Sequence, residues 1–194
     1  MPQFPPPAAR ATGDVRVVPV DAALAPAVRL LRVTPEQDGF VGDIEFNLDD
    51  ARRDPSSEAM AIVADNVVIG FYRLDCTPNA IVGRPLGQPH IGLRAFLIDR
   101  GQQGRGLGQR AVRACCADIQ RRYSHHRLIA LTVDQRNLAA LAMYRRAGFR
   151  DGDGADQPCE VGGQRLLLFD LGGDRGAPLR KATTPSQPTL ARAP

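Results

Sequence analysis

The stretch Asp99-Arg-Gly-Gln-Gln-Gly-Arg-Gly-Leu-Gly108 carries the densest chemistry in the chain. It follows an apolar run, His90–Ile98, and precedes a run with helical periodicity. Glycines at 104, 106 and 108 clear side chains from the point where the backbone turns into the helix. A helix N-terminus offers unpaired N–H groups at the positive end of its dipole, so this turn suits an anion. Arg100, Arg105 and Arg110 add charge nearby, and a phosphate or pyrophosphate is the expected ligand. The dinucleotide spacing GxGxxG is missing because position 109 is Gln. A Walker A loop is excluded because Leu107, not Lys, follows Gly106.

A second constellation is Asn137-Leu-Ala-Ala-Leu-Ala-Met-Tyr144-Arg-Arg-Ala-Gly148-Phe149. Asn137 and Tyr144 are one heptad apart, so on a helix they point the same way with an offset of about 20°. Both can line one groove. Gly148 suits a left-handed helix end, and Phe149 returns the chain to the core. Asn137 also reads as a simple helix N-cap, and Tyr144 as a half-buried core tyrosine.

The Gln-x-x-Gly-x-Gly pattern at Gln103, Gly106 and Gly108, followed by this second element, resembles the GCN5-related N-acetyltransferase (GNAT) family over residues 14–171. The resemblance implies an acetyl-coenzyme A-dependent acyltransferase working by direct attack of an amine in a ternary complex, with no metal. The implied fold is α/β: a mixed, mostly antiparallel central sheet of about six or seven strands, helices on both faces, and a splayed strand pair forming the cofactor cleft. Phe96, Leu97 and Ile98 would pair with the pantetheine arm, with Leu97 or Ile98 supplying an oxyanion N–H. Gln103, Gly104, Arg105, Gly106, Leu107 and Gly108 would cradle the pyrophosphate. Asn137 would touch the cofactor arm, and Tyr144 would be the acid for the departing thiolate. Some members carry a base, a Glu, on the strand before the turn. Here that strand has no carboxylate, and Arg94 stands where such a Glu can occur. His90, Asp43, Glu45 and a water chain all remain open as the base.

Pattern reading supplies the elements that must position these groups. Val15–Val20 alternates like a strand, and Asp21 can cap a helix running to about Leu31. A second helix is expected within 36–51, weakened by Gly39 and Gly42. Met60–Ala64 and Val67–Leu74 flank an Asp65-Asn66 hairpin turn. Residues 76–89 are loop. His90–Ile98 is a central strand, and a helix over about 106–122 buries Leu107, Ala111, Val112, Cys115 and Ile119. Leu128–Val133 is a strand, Leu138–Arg146 a helix, and Gly148–Arg150 and Arg165–Asp170 the closing strands.

The chain has 194 residues with 43% apolar and 24% charged side chains, enough for one ordinary domain. Residues 1–13 and 172–194 are proline-rich and poor in large apolar residues, so they read as disordered tails around a 14–171 domain. There is no apolar signal core and no run of the roughly 18 apolar residues that spans a bilayer, so a cytoplasmic protein without a membrane partner is expected, and the resemblance implies a bacterial enzyme. Cys76, Cys115, Cys116 and Cys159 form no CxxC pair and read as reduced structural thiols. The single lysine, Lys181, lies in the C-terminal tail, which excludes Schiff-base chemistry in the domain.

Net charge is +4, unevenly placed. Residues 36–58 carry eight acids against Arg52 and Arg53, a net of −6; residues 94–150 carry twelve arginines against three acids, a net of +9. An acidic wall at the acceptor side would favour a polyamine or another cationic amine. The segment Leu31–Val41 and the Phe96-Leu-Ile-Asp99 turn entry are similar to the bacterial diamine and spermidine acetyltransferase-like branch. Glu36, Glu45 and Arg94 are the candidate substrate contacts. An amino acid, antibiotic or protein amine is the alternative acceptor, and a non-catalytic acetyl-coenzyme A-binding module the alternative function. A nucleic-acid binder is disfavoured by 5% aromatic content and the absence of Trp. Family resemblance makes a homodimer reasonable.

Overall fold

The computed structural model describes residues 13–83, 85–152, 160–161 and 163–172. The expected tails lie outside these residues except for Gly13 and Gly172, and so does Cys159. The elements run β1 (Val15–Pro19), α1 (Ala25–Arg29), α2 (Asp38–Val41), α3 (Ile44–Arg53), β2 (Ser57–Ala64), β3 (Val67–Asp75), β4 (His90–Ile98), α4 (Leu107–Arg122), β5 (Leu128–Asp134), α5 (Leu138–Arg146), β6 (Arg150–Asp151), β7 (Glu160–Val161) and β8 (Gln164–Asp170). Short 3-10 turns occupy Pro35–Gln37 and Arg100–Gln102.

Asp65 and Asn66 both take the left-handed conformation, at φ 48° and 60°, which a two-residue hairpin turn demands. They fold β2 onto β3. The sheet order is β1-β2-β3-β4-β5-β8-β6, with β7 beside β8. Every pairing is antiparallel except β4 with β5. This is the mixed, mostly antiparallel α/β architecture expected from the motifs. The short strand β7 was not anticipated, since two residues carry no readable alternation.

Apolar side chains divide between the two faces of the sheet. Met60, Ile62, Tyr72, Leu74, Ile91 and Ile129 pack with Leu107, Ala111, Val112, Cys115 and Ile119 of α4, and with Leu141 of α5. The five α4 residues are the ones its periodicity nominates, and burying each large aliphatic contributes about 1.5–3 kcal/mol. On the other face Ala61, Val63, Phe71 and Leu97 meet Val28, Leu31 and Leu48 from the α1–α3 region. That cover stops short of β5 and β8, where the 76–89 loop lays Ile81, Val82 and Leu86 over Leu128, Ala130, Leu166 and Leu168.

Two helix expectations are corrected. Asp21 does cap, accepting from Ala23 N and Leu24 N at 3.0 and 2.8 Å, but it closes a turn, and the helix itself spans only Ala25–Arg29 with Pro26 in its first turn. The helix expected within 36–51 is three pieces. Gly42, at φ 71°, breaks it, and Asp43 restarts it as the N-cap of α3 by accepting from Phe46 N at 2.7 Å.

Candidate active site

Strands β4 and β5 touch only at their starts, where His90–Gly92 pairs with Leu128–Ala130. Among the described residues the outer edge of β4 has no strand neighbour beyond Gly92, and the sheet opens into the expected splay. A bulge in β4 shapes this edge. Arg94 and Leu97 pair with Arg73 and Phe71, so β4 holds one residue more than β3 over this span, and Ala95 turns left-handed at φ 51°. The extra residue reverses the alternation. Leu93 and Ile98 therefore both face α4, while Ala95 and Leu97 face the α1–α3 layer.

The same strand geometry decides which amides are free. Asp99 N donates to Ile69 O of β3 at 2.8 Å. Backbone groups alternate along an extended strand, so Leu97 N–H also points to β3 and Ile98 N–H points into the splay. Of the two residues expected to offer an N–H there, the strand geometry selects Ile98.

The glycine turn begins at Asp99, whose carboxylate accepts from Gly101 N at 2.8 Å and from Arg32 N at 2.9 Å. Gly104 and Gly106 are left-handed, at φ 76° and 72°, and a Cβ on either would meet nothing within 4 Å. The turn is therefore open to a ligand, with the unpaired N–H groups of the first turn of α4 behind it. Gly108 serves packing instead: a Cβ there would lie 2.9 Å from Met143 Sδ of α5. Gln103 does not offer its side chain to a phosphate. Its Nε2 donates to Ile98 O at 2.8 Å and to Gln37 Oε1 at 2.9 Å. Arg105 Nη1 donates to Gln102 Oε1 at 3.1 Å.

Helix α5 forms the facing wall. Asn137 is its N-cap, accepting from Ala140 N at 3.0 Å, and it also lines the cleft. The cleft, about 230 Å³, is bounded by Phe96, Leu97, Ile98, Gln103, Gly104, Gly108 and Asn137 from the motif residues. Arg105, Gly106 and Leu107 sit in the same turn but outside this lining. Val33, Gln37, Val41, Ala139, Ala140 and Met143 complete it and were not foreseen. For Gln37 a signal existed, because Thr34-Pro-Glu-Gln37 is a capping-box sequence that announces a turn with its Gln side chain folded back.

No lining residue is titratable; the polar side chains are the amides of Gln37, Gln103 and Asn137. His90 is buried at the opposite end of β4, its Nδ1 3.3 Å from Gln88 O. Tyr144 stands behind the cleft, its ring edge-on to Phe96 at 6.0 Å and to Phe149 at 5.3 Å. Burial, and then the Cys115 and Cys116 thiols, push its phenol well above the usual range. Burial likewise raises both thiols, Cys116 to about 12, so neither is a nucleophile.

Half of the acids in the acidic segment are ion-paired by the fold. Glu45 pairs with Arg29 at 2.7 Å, Asp49 with Arg52 and Arg53, Asp50 with Arg73, and Glu58 with Arg122. Asp43 and Asp54 accept from the backbone N–H groups of Phe46 and Ser56. Glu36 and Asp38 remain exposed on either side of Gln37. Glu45 does not line the cleft, and neither does Arg94, whose Nε donates to Asp75 at 3.0 Å. Among the described residues no helix is long and apolar enough to cross a membrane, and no group of three or more His, Cys, Asp or Glu could hold a metal ion.

The splayed β4–β5 pair, the glycine turn and the facing helix together define an acyl-carrier cleft of one known class. The chain belongs to the acetyltransferase (GNAT) family, which matches residues 26–149, and it is an N-acetyltransferase. It is 25% identical over 145 residues to a probable spermine N(1)-acetyltransferase of Bacillus subtilis subsp. natto, covering 75% of this chain and 91% of that protein. Among solved structures it shares the fold of the aminoglycoside acetyltransferase AAC(6')-Ib in complex with paromomycin and acetyl-CoA, at a TM-score of 0.63 and 15% identity over 81% of this chain and 93% of that one. It also shares the fold of a spermidine N-acetyltransferase from Vibrio cholerae in complex with CoA and spermine, at a TM-score of 0.58 and 12% identity over 81% and 96%.

Proposed function

We propose that the protein transfers the acetyl group of acetyl-CoA to a primary amine of a small molecule, in one ternary complex, with a polyamine or similar cationic amine as the favoured acceptor. The observation that carries this reading is the cleft between the end of β4 and the start of α5, reached by an open glycine turn at one end and lined by Phe96 and Leu97 from opposite faces of the sheet. Gly104, Arg105, Gly106, Leu107 and Gly108 hold the pyrophosphate through backbone N–H groups, with Gln103 contributing only its backbone. Phe96, Leu97 and Ile98 flank the pantetheine arm, and Asn137 contacts it from the other wall. The Ile98 N–H is aimed at the thioester oxygen, where a fixed donor stabilises developing negative charge.

The chemistry forms one C–N bond and breaks one C–S bond. The amine sheds its proton to water, since the cleft offers no titratable side chain. Tyr144 supplies a proton to the departing thiolate. Burial keeps the phenol protonated at physiological pH and also makes it a weaker acid, so the transfer needs the thiolate to be desolvated as it forms.

Two things support the cationic acceptor. One is the name carried by the Bacillus relative. The other is the pairing of Arg94 with Asp75, which removes the repulsion a free guanidinium would exert. The charge support is narrower than the net −6 implies, because Glu45, Asp49, Asp50 and Glu58 are ion-paired and it rests on Glu36, Asp38, Asp43 and Asp54. A 14–171 catalytic unit, a homodimer and a cytoplasmic location accompany this reading.

Calorimetry with acetyl-CoA, followed by an amine panel with thiol release as readout, tests it. Spermidine and putrescine should react faster than amino acids, aminoglycosides or peptides. Absence of acetyl-CoA binding at high micromolar ligand would defeat the activity. Inert polyamines beside a reactive carboxylate-bearing amine would defeat only the acceptor.

A further inference from the structure

Gln37 and Gln103 face each other across the mouth of the cleft, 66 residues apart in sequence. Their side-chain amides bond reciprocally: Gln37 Nε2 donates to Gln103 Oε1 at 3.2 Å, and Gln103 Nε2 donates to Gln37 Oε1 at 2.9 Å. Gln103 Nε2 also reaches Ile98 O at 2.8 Å, across the end of β4. Gln37 is itself held, because Thr34 N donates to its Oε1 at 3.3 Å in the capping box.

The backbone around this pair is stitched the same way. Arg32 N donates to Asp99 Oδ2 at 2.9 Å, and Arg100 N donates to Arg32 O at 2.7 Å. At the far side of the cleft the Arg136 guanidinium lies 5.9 Å from the centre of the Phe40 ring. The segment 32–40 is therefore a strap from the β4 turn to the β5–α5 loop, and Gln37 is where it grips the turn.

We propose that Gln37 is a positioning residue for the pyrophosphate turn, acting through Gln103. The reciprocal amide pair locks the Gln103 side chain over Ile98 and so fixes the backbone of the turn in its anion-holding form. Neither side chain needs to touch the phosphate. A Met at 37 would fill the space but offer no amide, and a Glu would accept from Gln103 Nε2 while facing Gln103 Oε1 with a second acceptor. Only a primary amide satisfies both partners. The strap also forms the acceptor-side rim, so the pair links the acceptor wall to cofactor affinity. This inference rests on the acetyl-CoA reading above.

A double-mutant cycle over Gln37→Met and Gln103→Ala, read as acetyl-CoA Kd by calorimetry, tests it. Loss of a partly buried hydrogen-bonded pair corresponds to about a five- to tenfold change in affinity. Gln37→Met should weaken acetyl-CoA by that factor, Gln103→Ala by at least as much, and the double variant no more than Gln103→Ala alone. With saturating acetyl-CoA, Gln37→Met should recover more of its kcat than of its kcat/KM, the split expected when the loss lies mainly in cofactor binding. Additive losses would mean that Gln37 contacts the cofactor directly, and an unchanged Kd would mean that the pair is ornamental; either overturns the proposal. Gln37→Glu, intermediate in affinity if the proposal holds and wild-type-like if not, serves should Gln37→Met fail to fold. Wild-type protein that binds no acetyl-CoA would instead overturn the functional reading itself.

Discussion

The Tyr144 ring meets the Phe96 ring edge-on at 6.0 Å, so the proposed acid packs directly against a residue of the cleft wall. Phe96 lines the cleft and Tyr144 does not. The bulge at Ala95 is what turns Phe96 toward α5, and so brings the two rings together.

Tyr144→Phe keeps both ring contacts and removes only the hydroxyl. It should lower kcat by about 10²-fold, the lower end for a general acid, while the acetyl-CoA Kd stays within about twofold. Unchanged turnover would remove Tyr144 from the mechanism.

A cleft lined without titratable side chains leaves the acceptor's own ionisation in control of the pH profile. The logarithm of kcat/KM should rise with unit slope up to the acceptor's pKa, and the break should move when an amine of lower pKa is used. The raised phenol of Tyr144 adds no alkaline limb below about pH 10, its ordinary pKa. A break near neutrality that stays put for every acceptor would reveal a side-chain base.

Gly106→Ala isolates the turn. Its Cβ meets no atom, so the stability cost is backbone strain alone, about 1–2 kcal/mol for a left-handed alanine. Acetyl-CoA affinity should fall by at least about tenfold, because the methyl enters the open face of the anion site. A loss of stability with full affinity would place the pyrophosphate elsewhere.

Arg122 joins α4 to β2 by donating to Asp118 Oδ2 at 2.8 Å and to both Glu58 oxygens at 3.0 and 2.9 Å. Tyr123 adds a 2.7 Å bond to Glu58. Burial pushes the Glu58 carboxyl up, but the hydrogen bonds from Arg122 and Tyr123 outweigh it and hold the pKa below the usual range. The resulting stability is complete above the ordinary glutamate pKa of about 4.3 and is lost as pH falls through the lowered folded value. Arg122→Ala should cost about 2–3 kcal/mol at pH 7 and flatten the acid limb of a Tm-versus-pH curve. An acid limb as steep as in wild type would assign it to other carboxylates.

Glu36→Gln tests the remaining charge argument for the acceptor. Its own backbone N–H and the Thr34 hydroxyl lower the Glu36 pKa, so the carboxylate is charged at neutral pH. With spermidine as acceptor, KM should rise about two- to fivefold at low salt and converge with wild type at high salt, with kcat unchanged. A KM indifferent to both changes would leave the acceptor preference without electrostatic support.

Local signals in the sequence were enough for the parts that local physics builds. The α5 bounds, the α4 apolar face, the Asp65-Asn66 hairpin and the strand–turn–helix around Gly104 and Gly106 each depend on residues within a few positions of one another. The short helix at Ala25–Arg29 and the break at Gly42 show where that reading weakens, since periodicity does not say where a helix stops when packing and a single glycine decide it.

Other features belong to the tertiary structure alone. The Ala95 bulge, which aims Phe96 and Ile98 at the α4 side, arises from pairing with β3 and leaves no mark in the alternation of β4. The Gln37–Gln103 pair joins residues that no local pattern relates. Charge is the clearest case. The sequence by itself determined a segment of net −6, because formal charge is a property of composition. Only the fold decided that Asp50 meets Arg73, that Glu58 meets Arg122 and that Glu36 and Asp38 are left facing solvent, because ion pairing depends on distances the chain acquires when it folds.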